Sequence, residues 1–156
     1  MSIQVIHTPM SHPSDLLAEV ARKLGGTKVL GVAIGSQADL AMLVRQRVPL
    51  AALDELARAG LSEREIDSLV IPQRTRRHRA VRHEPLSVEE SDRAVRFARI
   101  QSLAEAAFQD RDKANLWLRR TLQELGGASP LTTARTDAGA RLVETIIGKI
   151  AWGAPA

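Results

Sequence analysis

The sequence predicts an all-α protein in which an N-terminal half with a helix-turn-helix is followed by a small helical domain. Aromatic residues make up only 3% of the chain and tyrosine is absent, whereas strands are rich in aromatic and β-branched residues. Alanine, leucine and arginine, which favour helices, are abundant. Apolar residues recur at helical spacing, and Ser or Thr caps stand in front of several of these runs.

Composition restricts the class of protein further. The 156 residues suffice for one domain or two small helical ones, and 44% apolar with 26% charged residues is typical of a folded globular chain. The absence of cysteine excludes disulfides and thiolate metal sites, and it agrees with a reducing compartment. No apolar run approaches membrane-spanning length, and the N-terminus lacks the pattern of a signal peptide. We therefore expect a cytoplasmic protein that does not bind membranes.

Residues 1–35 are expected to form a flexible leader and a first helix. Prolines, histidines and small polar residues are frequent in Met1–Pro13. Asp15–Leu24 has apolar residues at helical spacing, and the Gly25-Gly26 pair ends it. The apolar run Val29–Ile34 is compatible with either a small strand or an ordered linker.

Residues 36–86 are predicted to form a helix-turn-helix DNA-binding region. Ser36 caps its first helix, and Pro49 is placed to start another that ends at Gly60.

The strongest boundary signal follows. Ser62 and Glu65 form a capping box for a short helix, and Pro72 ends that helix because the residue before a proline resists helical geometry. A basic helix begins directly afterwards. Two short helices joined by a tight turn, the second one basic, are typical of a helix-turn-helix.

The basic segment Gln73–Arg82 contains five arginines and one histidine without an acid. Residues 44–83 hold nine Lys/Arg against five Asp/Glu, and the segments on either side are balanced, so the formal charge of +4 lies there. A focused positive patch is typical of a protein that binds a polyanion, and it favours nucleic acid as a partner. A solvated charged helix that binds nothing is the alternative.

A helical projection divides this segment into two faces. The face predicted to point outward, where guanidinium groups can meet phosphates or guanine edges, contains Arg74, Thr75, His78, Arg79 and Arg82. The face predicted to point inward contains Gln73, Arg76, Arg77, Ala80 and Val81, of which the two arginines are poor core residues.

Residues 87–156 are predicted to form a second helical unit. Ser87 and Glu90 make another capping box, which opens a long helix to about Phe108. Asp110 caps the next helix, which Gly126-Gly127 ends. Its predicted apolar stripe contains Ala114, Trp117, Leu118, Thr121 and Leu125.

Two further helices are predicted towards the C-terminus. Ser129-Pro130 starts a short helical turn, Thr136 caps the last helix, and Gly153 is placed to terminate it. The predicted inner face of that last helix contains Leu142, Val143, Ile146, Ile147 and Ile150.

Motifs for catalysis, metal binding or cofactor binding are missing from the sequence. Two of the four histidines lie in the leader, and the other two, His78 and His83, lie in the basic segment and directly after it, where positive charge would repel a metal ion. The Gly-Gly pairs lack the Lys-Ser/Thr context of a phosphate loop, and no nucleophile has a base beside it. We therefore predict a protein that is not an enzyme and uses no cofactor.

From Leu43 onward the chain resembles the Xre/MbcA/ParS-type antitoxins of bacterial toxin–antitoxin pairs whose toxins have the RES domain. In the N-terminal half the resemblance is carried by Leu69–Thr75, His78-Arg79 and Leu86–Arg93. In the C-terminal third it is carried by Ala107–Asp110, Ala114, Trp117-Leu118, Leu125–Gly127, Pro130-Leu131, Thr136, Gly139, Val143, Ile150 and Gly153.

The resemblance implies an N-terminal DNA-binding half and a C-terminal toxin-binding domain. Such antitoxins repress their own operon as dimers, and their extreme C-terminus closes the NAD-binding pocket of a toxin that consumes NAD or transfers its ADP-ribosyl group. The implied partners are a cognate RES-domain toxin, operator DNA and a second copy of the chain. The residues that we predict to bind DNA, from the basic helix itself, are Gln73, Arg74, Thr75, His78, Arg79 and Arg82. The implied toxin-binding residues are Trp117, Trp152, Gly153, Ala154, Pro155 and Ala156, although Trp117 also lies in a predicted core stripe.

The chain departs from the family pattern in two places. The residue after Thr75 is usually apolar in the family but is Arg76 here, which affects how the second helix of the helix-turn-helix is seated. The family commonly has a Pro-Asn pair where Thr121-Leu122 stand, so that segment is free to be helical.

Besides an enzyme, which the missing motifs disfavour, two other functions remain open on the sequence. One is a stand-alone transcriptional repressor whose C-terminal domain only dimerises. The other is an interaction protein that has lost DNA binding, because Arg76 and Arg77 are predicted to face inward. A gel shift with the chain's own promoter separates the second from the rest.

Overall fold

The structure is a computed structural model that describes residues 13–153, and within that range it is all-α, as predicted. The secondary-structure elements in this range are ten α-helices and one 3-10 helix. No helix among them is long and apolar enough to cross a membrane. The helices are α1 Pro13–Lys23, α2 Gly26–Leu30, α3 Gln37–Gln46, α4 Ala52–Ala59, α5 Glu63–Leu69, α6 Gln73–Val81, α7 Val88–Phe108, α8 Arg111–Arg119, the 3-10 helix Gln123–Leu125, α9 Pro130–Thr133 and α10 Asp137–Ala151.

The longest helix, α7, is the centre of the fold. It packs against α1, α3, α4, α8 and α10, so both halves of the chain share one hydrophobic core. Phe97 and Ile100 of α7 are fully buried, as are Leu53 and Leu56 of α4. Burial of such apolar side chains is the main favourable contribution to folding.

The helix starts follow the predicted caps. Both capping boxes are present: the Ser62 hydroxyl accepts from the Glu65 N–H, the Ser87 hydroxyl accepts from the Glu90 N–H, and each glutamate accepts from its cap residue's N–H. Side-chain caps also stand before α3, α8, α9 and α10, at Ser36, Asp110, Ser129 and Thr136. These bonds satisfy N–H groups that the first turn of a helix leaves without partners.

Two N-terminal details differ from the sequence prediction. The run Val29–Ile34 is neither a strand nor only a linker, because its first residues finish the short helix α2. Gly31, at a φ of 73°, ends that helix in a left-handed conformation that glycine adopts easily. Pro49 does not start α4, which begins at Ala52 after a tight turn in which the Ala52 N–H bonds to the Pro49 carbonyl.

Two C-terminal predictions are wrong. The apolar stripe of α8 does not continue to Leu125, because the helix stops at Arg119 and the chain turns through an extended Arg120. The segment at Thr121-Leu122 is therefore not helical, and Leu122 pairs with Ala128 across a small loop. Leu142 is 47% exposed rather than on the inner face of α10, which Val143, Ile146 and Ile147 form with the partly buried Ile150.

Candidate nucleic-acid interface and C-terminal surface

Helices α5 and α6 and the turn between them form the predicted helix-turn-helix. The turn residues Val70 and Ile71 are buried, and their N–H groups both bond to the Ile66 carbonyl. Arg93 of α7 reaches this turn, where its Nε donates to the Val70 carbonyl at 2.9 Å. Arg93 thus holds the turn against the central helix α7.

Helix α6 has no buried residue, so its seating depends on polar contacts. The Arg76 guanidinium bonds to Glu63 of α5 at 2.6 Å and to Asp54 of α4 at 3.1 Å. Arg76 does face inward, as predicted. It is held there by two acids on neighbouring helices.

A second arginine of α6 is held in the same way. The Arg79 guanidinium lies 2.7 Å from a carboxylate oxygen of Glu90, which is 5% exposed, and 3.3 Å from Glu84. The hydrogen bond to Glu90 raises the pKa of Arg79, although burial partly opposes this. The predicted outward orientation of Arg79 is therefore wrong. The Arg79 side chain instead connects the end of α6 to the start of α7. Thr75, on the same side, is half-buried.

The face of α6 that meets solvent differs from the projected one. Ala80 and Val81, predicted to face inward, are exposed, and Val81 is 80% exposed. Arg77 is also exposed rather than inward. The exposed polar residues of this helix and its end are Gln73, Arg74, Arg77, His78 and Arg82. Four of these can carry positive charge, so the structure retains a basic surface here.

Sequence reasoning missed Arg47, which positions the connection between α6 and α7. Its Nε donates to the Leu86 carbonyl at 2.7 Å and its Nη2 to the Pro85 carbonyl at 3.0 Å. The backbone of Arg47 has a φ of 72°, a region that side-chain-bearing residues rarely adopt. An isolated arginine after a predicted helix gives no sequence signal for this contact.

The two tryptophans that are predicted to bind the toxin lie in opposite environments. Trp152, which follows α10, is 91% exposed and Gly153 is also exposed. Trp117 is only 8% exposed and lies 5.7 Å from Phe108, measured between ring centroids. Trp117 is thus a core residue, so the structure does not place it on a binding surface. Ala154, Pro155 and Ala156 lie outside the described residues.

Helix α8 links the C-terminal half to the helix-turn-helix half. Arg119 Nη2 donates to the Gly60 carbonyl and to a Glu65 oxygen, each at 2.8 Å, and Arg111 bonds to the Arg58 carbonyl at 2.6 Å. Burial raises the pKa of Glu65, but hydrogen bonds from Arg119 and Ser62 outweigh it and hold that pKa below its ordinary value.

The described residues contain no group of His, Cys, Asp and Glu arranged to hold a metal ion. The described surface instead offers an exposed basic helix, α6, and an exposed indole, that of Trp152.

Comparisons with known families match both halves of the chain. Residues 39–99 match the Antitoxin Xre-like helix-turn-helix domain. Residues 103–153 match the Antitoxin Xre/MbcA/ParS C-terminal toxin-binding domain. Both matched families are binding domains rather than enzymes.

Three curated relatives are each named Antitoxin Xre. The chain is 39% identical over 84 residues to one from Pseudomonas putida, covering 54% of this chain and 53% of the relative. It is 37% identical over 68 residues to one from Photorhabdus laumondii, covering 43% and 46%. It is 33% identical over 84 residues to one from Yersinia enterocolitica, covering 53% and 57%. The chain thus spans about half the length of the curated relatives it matches.

Proposed function

Because the chain belongs to the Xre-like antitoxin family, in which a helix-turn-helix domain precedes a C-terminal toxin-binding domain, we propose that it neutralises a toxin and represses its own operon. The observation that carries the proposal is the presence of both domains in one chain, the first with an exposed basic helix and the second with an exposed tryptophan at its end.

The toxin proposed is a cognate RES-domain protein that degrades NAD or transfers its ADP-ribosyl group. The segment from Trp152 to Ala156 is proposed to fill the toxin's NAD-binding pocket and so to block its active site. Exposure of the Trp152 indole supports this, since a large exposed aromatic side chain is an efficient interface anchor. The small residues after it are narrow enough to enter a cleft.

Deletion of residues 152–156 tests the occlusion mechanism. We expect the truncated chain to lose neutralisation, measured as growth and cellular NAD content when it is co-expressed with the toxin, while gel shifts with operator DNA are unchanged. Folding should survive because Trp152 and Gly153 are exposed and follow the last helix. Full protection of cells by the truncated chain would exclude occlusion by this segment.

The DNA-binding surface proposed is the exposed side of α6, with Gln73, Arg74, Arg77, His78 and Arg82 as contacts. Thr75 and Arg79, which the sequence predicts to bind DNA, are half-buried, and Arg79 is assigned to seating the helix through Glu90 and Glu84. We further propose that the chain binds as a cytoplasmic homodimer, because helix-turn-helix proteins read paired half-sites one helical turn apart.

Charge removal on this surface tests DNA binding. In a variant with Arg74→Gln and Arg77→Gln, operator affinity should fall, and the slope of log K against log salt should flatten by about one for each phosphate that the variant no longer binds. An unchanged slope would mean that these arginines do not touch phosphate.

The alternative function, a stand-alone repressor, predicts normal DNA binding but no complex with a toxin. Co-purification of the product of the neighbouring gene therefore separates the repressor from the antitoxin.

A further inference from the structure

We propose that Arg76 is a positioning residue for DNA recognition, which fixes the orientation of α6 through Asp54 and Glu63 and does not itself touch DNA. This inference rests on the proposed operator binding by α6. It deepens that proposal by naming the contact that sets how the helix is presented to the operator.

The apolar core holds the start of α6 but not the rest of the helix. Val70 and Ile71, in the turn before α6, are buried, whereas α6 itself has no buried residue. A helix that is polar on every side has no apolar stripe to set its rotation about its own axis. Polar contacts must therefore determine which side chains of α6 face solvent.

Arg76 supplies such a contact near the start of α6. Its Nη1 donates to Glu63 of α5 at 2.6 Å, and its Nη2 donates to Asp54 of α4 at 3.1 Å. A planar guanidinium that is bonded at both terminal nitrogens is restrained in direction as well as in distance. Rotation of α6 would break one of these bonds. Because the N-terminal residues of a recognition helix contact base edges, the restraint acts where the orientation of the helix matters most.

The charge of Arg76 is already compensated by the protein. Its side chain is 19% exposed and faces two carboxylates, so the formal charge of the three groups together is negative. A DNA phosphate would have to displace carboxylates that are already bonded to the guanidinium. Arg74 and Arg77, by contrast, are exposed on α6. Arg76 thus acts through them, by holding the helix on which they lie.

Removal of the two acids tests the proposal most sharply, because charge and position then act in opposite directions. Asp54→Ala with Glu63→Ala removes two negative charges near the DNA-binding helix, which by itself should tighten binding to any DNA. Without its partners, however, Arg76 no longer holds α6. We expect affinity for a scrambled duplex to rise, and the preference for the chain's own promoter over that duplex to fall by about ten-fold, comparable to the loss of one specific base contact. Fluorescence anisotropy with both duplexes at several KCl concentrations gives the affinities and their salt slopes.

Replacement of Arg76 by glutamine tests the same contact from the other partner. The preference for the promoter should again fall by about ten-fold. The slope of log K against log salt should not flatten by about one, as it would for a lost phosphate contact, since Arg76 makes no such contact. A loss of folded protein would lower the affinity for both duplexes alike and leave the preference unchanged. Folding should survive in Arg76→Gln because α6 contributes no buried residue to the core.

A matched control is Asp112→Ala with Asp137→Ala, which removes two exposed acids from the first turns of α8 and α10. This control should keep the wild-type preference for the promoter. Unchanged preference in either the Asp54 and Glu63 double variant or Arg76→Gln, a flattened slope in Arg76→Gln, or an equal loss in the control would overturn the positioning role and leave the proposed function intact. If the wild-type chain does not prefer its own promoter, the proposed DNA binding fails and this inference fails with it.

Discussion

Arg77 and Arg79 lie two residues apart in the same helix, but their surroundings differ. Arg77 is exposed, whereas Arg79 bonds to Glu90, whose side chain is 5% exposed. Both arginines count equally in a charge total, and the helical projection places them the wrong way round, with Arg77 inward and Arg79 outward. Their environments differ because of where α7 lies. Glu90, the capping-box glutamate of α7, also accepts a hydrogen bond from the Arg79 guanidinium.

Replacing these two arginines one at a time should separate folding from DNA binding. Arg79→Gln should lower the free energy of unfolding by about 2 kcal/mol, because a buried Glu90 would lose its cation. Arg77→Gln, as the matched control, should change it by less than about 0.5 kcal/mol and should weaken operator binding. Urea denaturation gives the first quantity. Equal stability of the two variants would show that the Arg79 contact contributes nothing to the fold.

Glu65 should give the chain a pH-dependent link between its halves. Its pKa is below the ordinary 4.5 in the folded chain, so the unfolded chain binds this proton more readily. The stabilisation is therefore complete above that ordinary value and is lost as pH falls through the lowered pKa. The stability difference between wild type and Glu65→Gln should be constant near neutral pH and shrink in acid, measured by urea denaturation from about pH 7 to about pH 3.

Helix α1 lies before the matched helix-turn-helix region, but it belongs to the same core. Leu17, Val20 and Leu24 are buried, and Lys23, also buried, bonds to Glu105 of α7 at 2.7 Å. The other carboxylate oxygen of Glu105 is buried without a hydrogen-bond partner among the described residues. The ion pair therefore holds α1 on α7 at the cost of removing two charges from water.

Replacing one partner of this ion pair should destabilise the fold more than replacing both partners. Lys23→Met leaves Glu105 without a cation and should destabilise the fold by about 2–3 kcal/mol, whereas Lys23→Met with Glu105→Leu should recover most of that loss. Thermal melts of the single and double variants at neutral pH measure both effects. A double variant as unstable as the single one would mean that the pair contributes more than its desolvation costs.

The helices could largely be predicted from the sequence because their starts are determined locally. Ser62 with Glu65 and Ser87 with Glu90 place the caps without reference to the rest of the chain. The helix end at Arg119 could not be predicted, since apolar residues continue beyond it and only the packing of the following loop shows the turn. Likewise Leu142 has helical spacing typical of the core but lies at its margin.

The position of the basic segment could be predicted from its charge, but the orientation of its helix could not. A helix made almost entirely of polar residues has no apolar stripe to mark its inner side, so the projection misplaced Arg79 and Val81. The acids that settle the orientation, among them Asp54, Glu63 and Glu90, come from three other helices. Such contacts depend on tertiary structure and leave no local pattern.

The two halves of the chain share one core through α7, which contacts helices from both of them. Arg111 and Arg119 of α8 add hydrogen bonds to the carbonyls of Arg58 and Gly60 at the end of α4. A chain built in this way should unfold as a single cooperative unit rather than as two domains.

Probes from the two halves should therefore report the same transition. Trp117 is buried in the C-terminal half, and in a Trp152→Phe background it is the only tryptophan, so its fluorescence reports that half alone. Far-UV circular dichroism reports every helix. We expect coincident thermal transitions, and we expect Ile66→Ala, a fully buried site in α5, to move both curves downward together because it costs about 2–5 kcal/mol. If that substitution lowered the dichroism transition but left the Trp117 transition in place, the halves would be folding independently, and α7 would not be acting as a shared core.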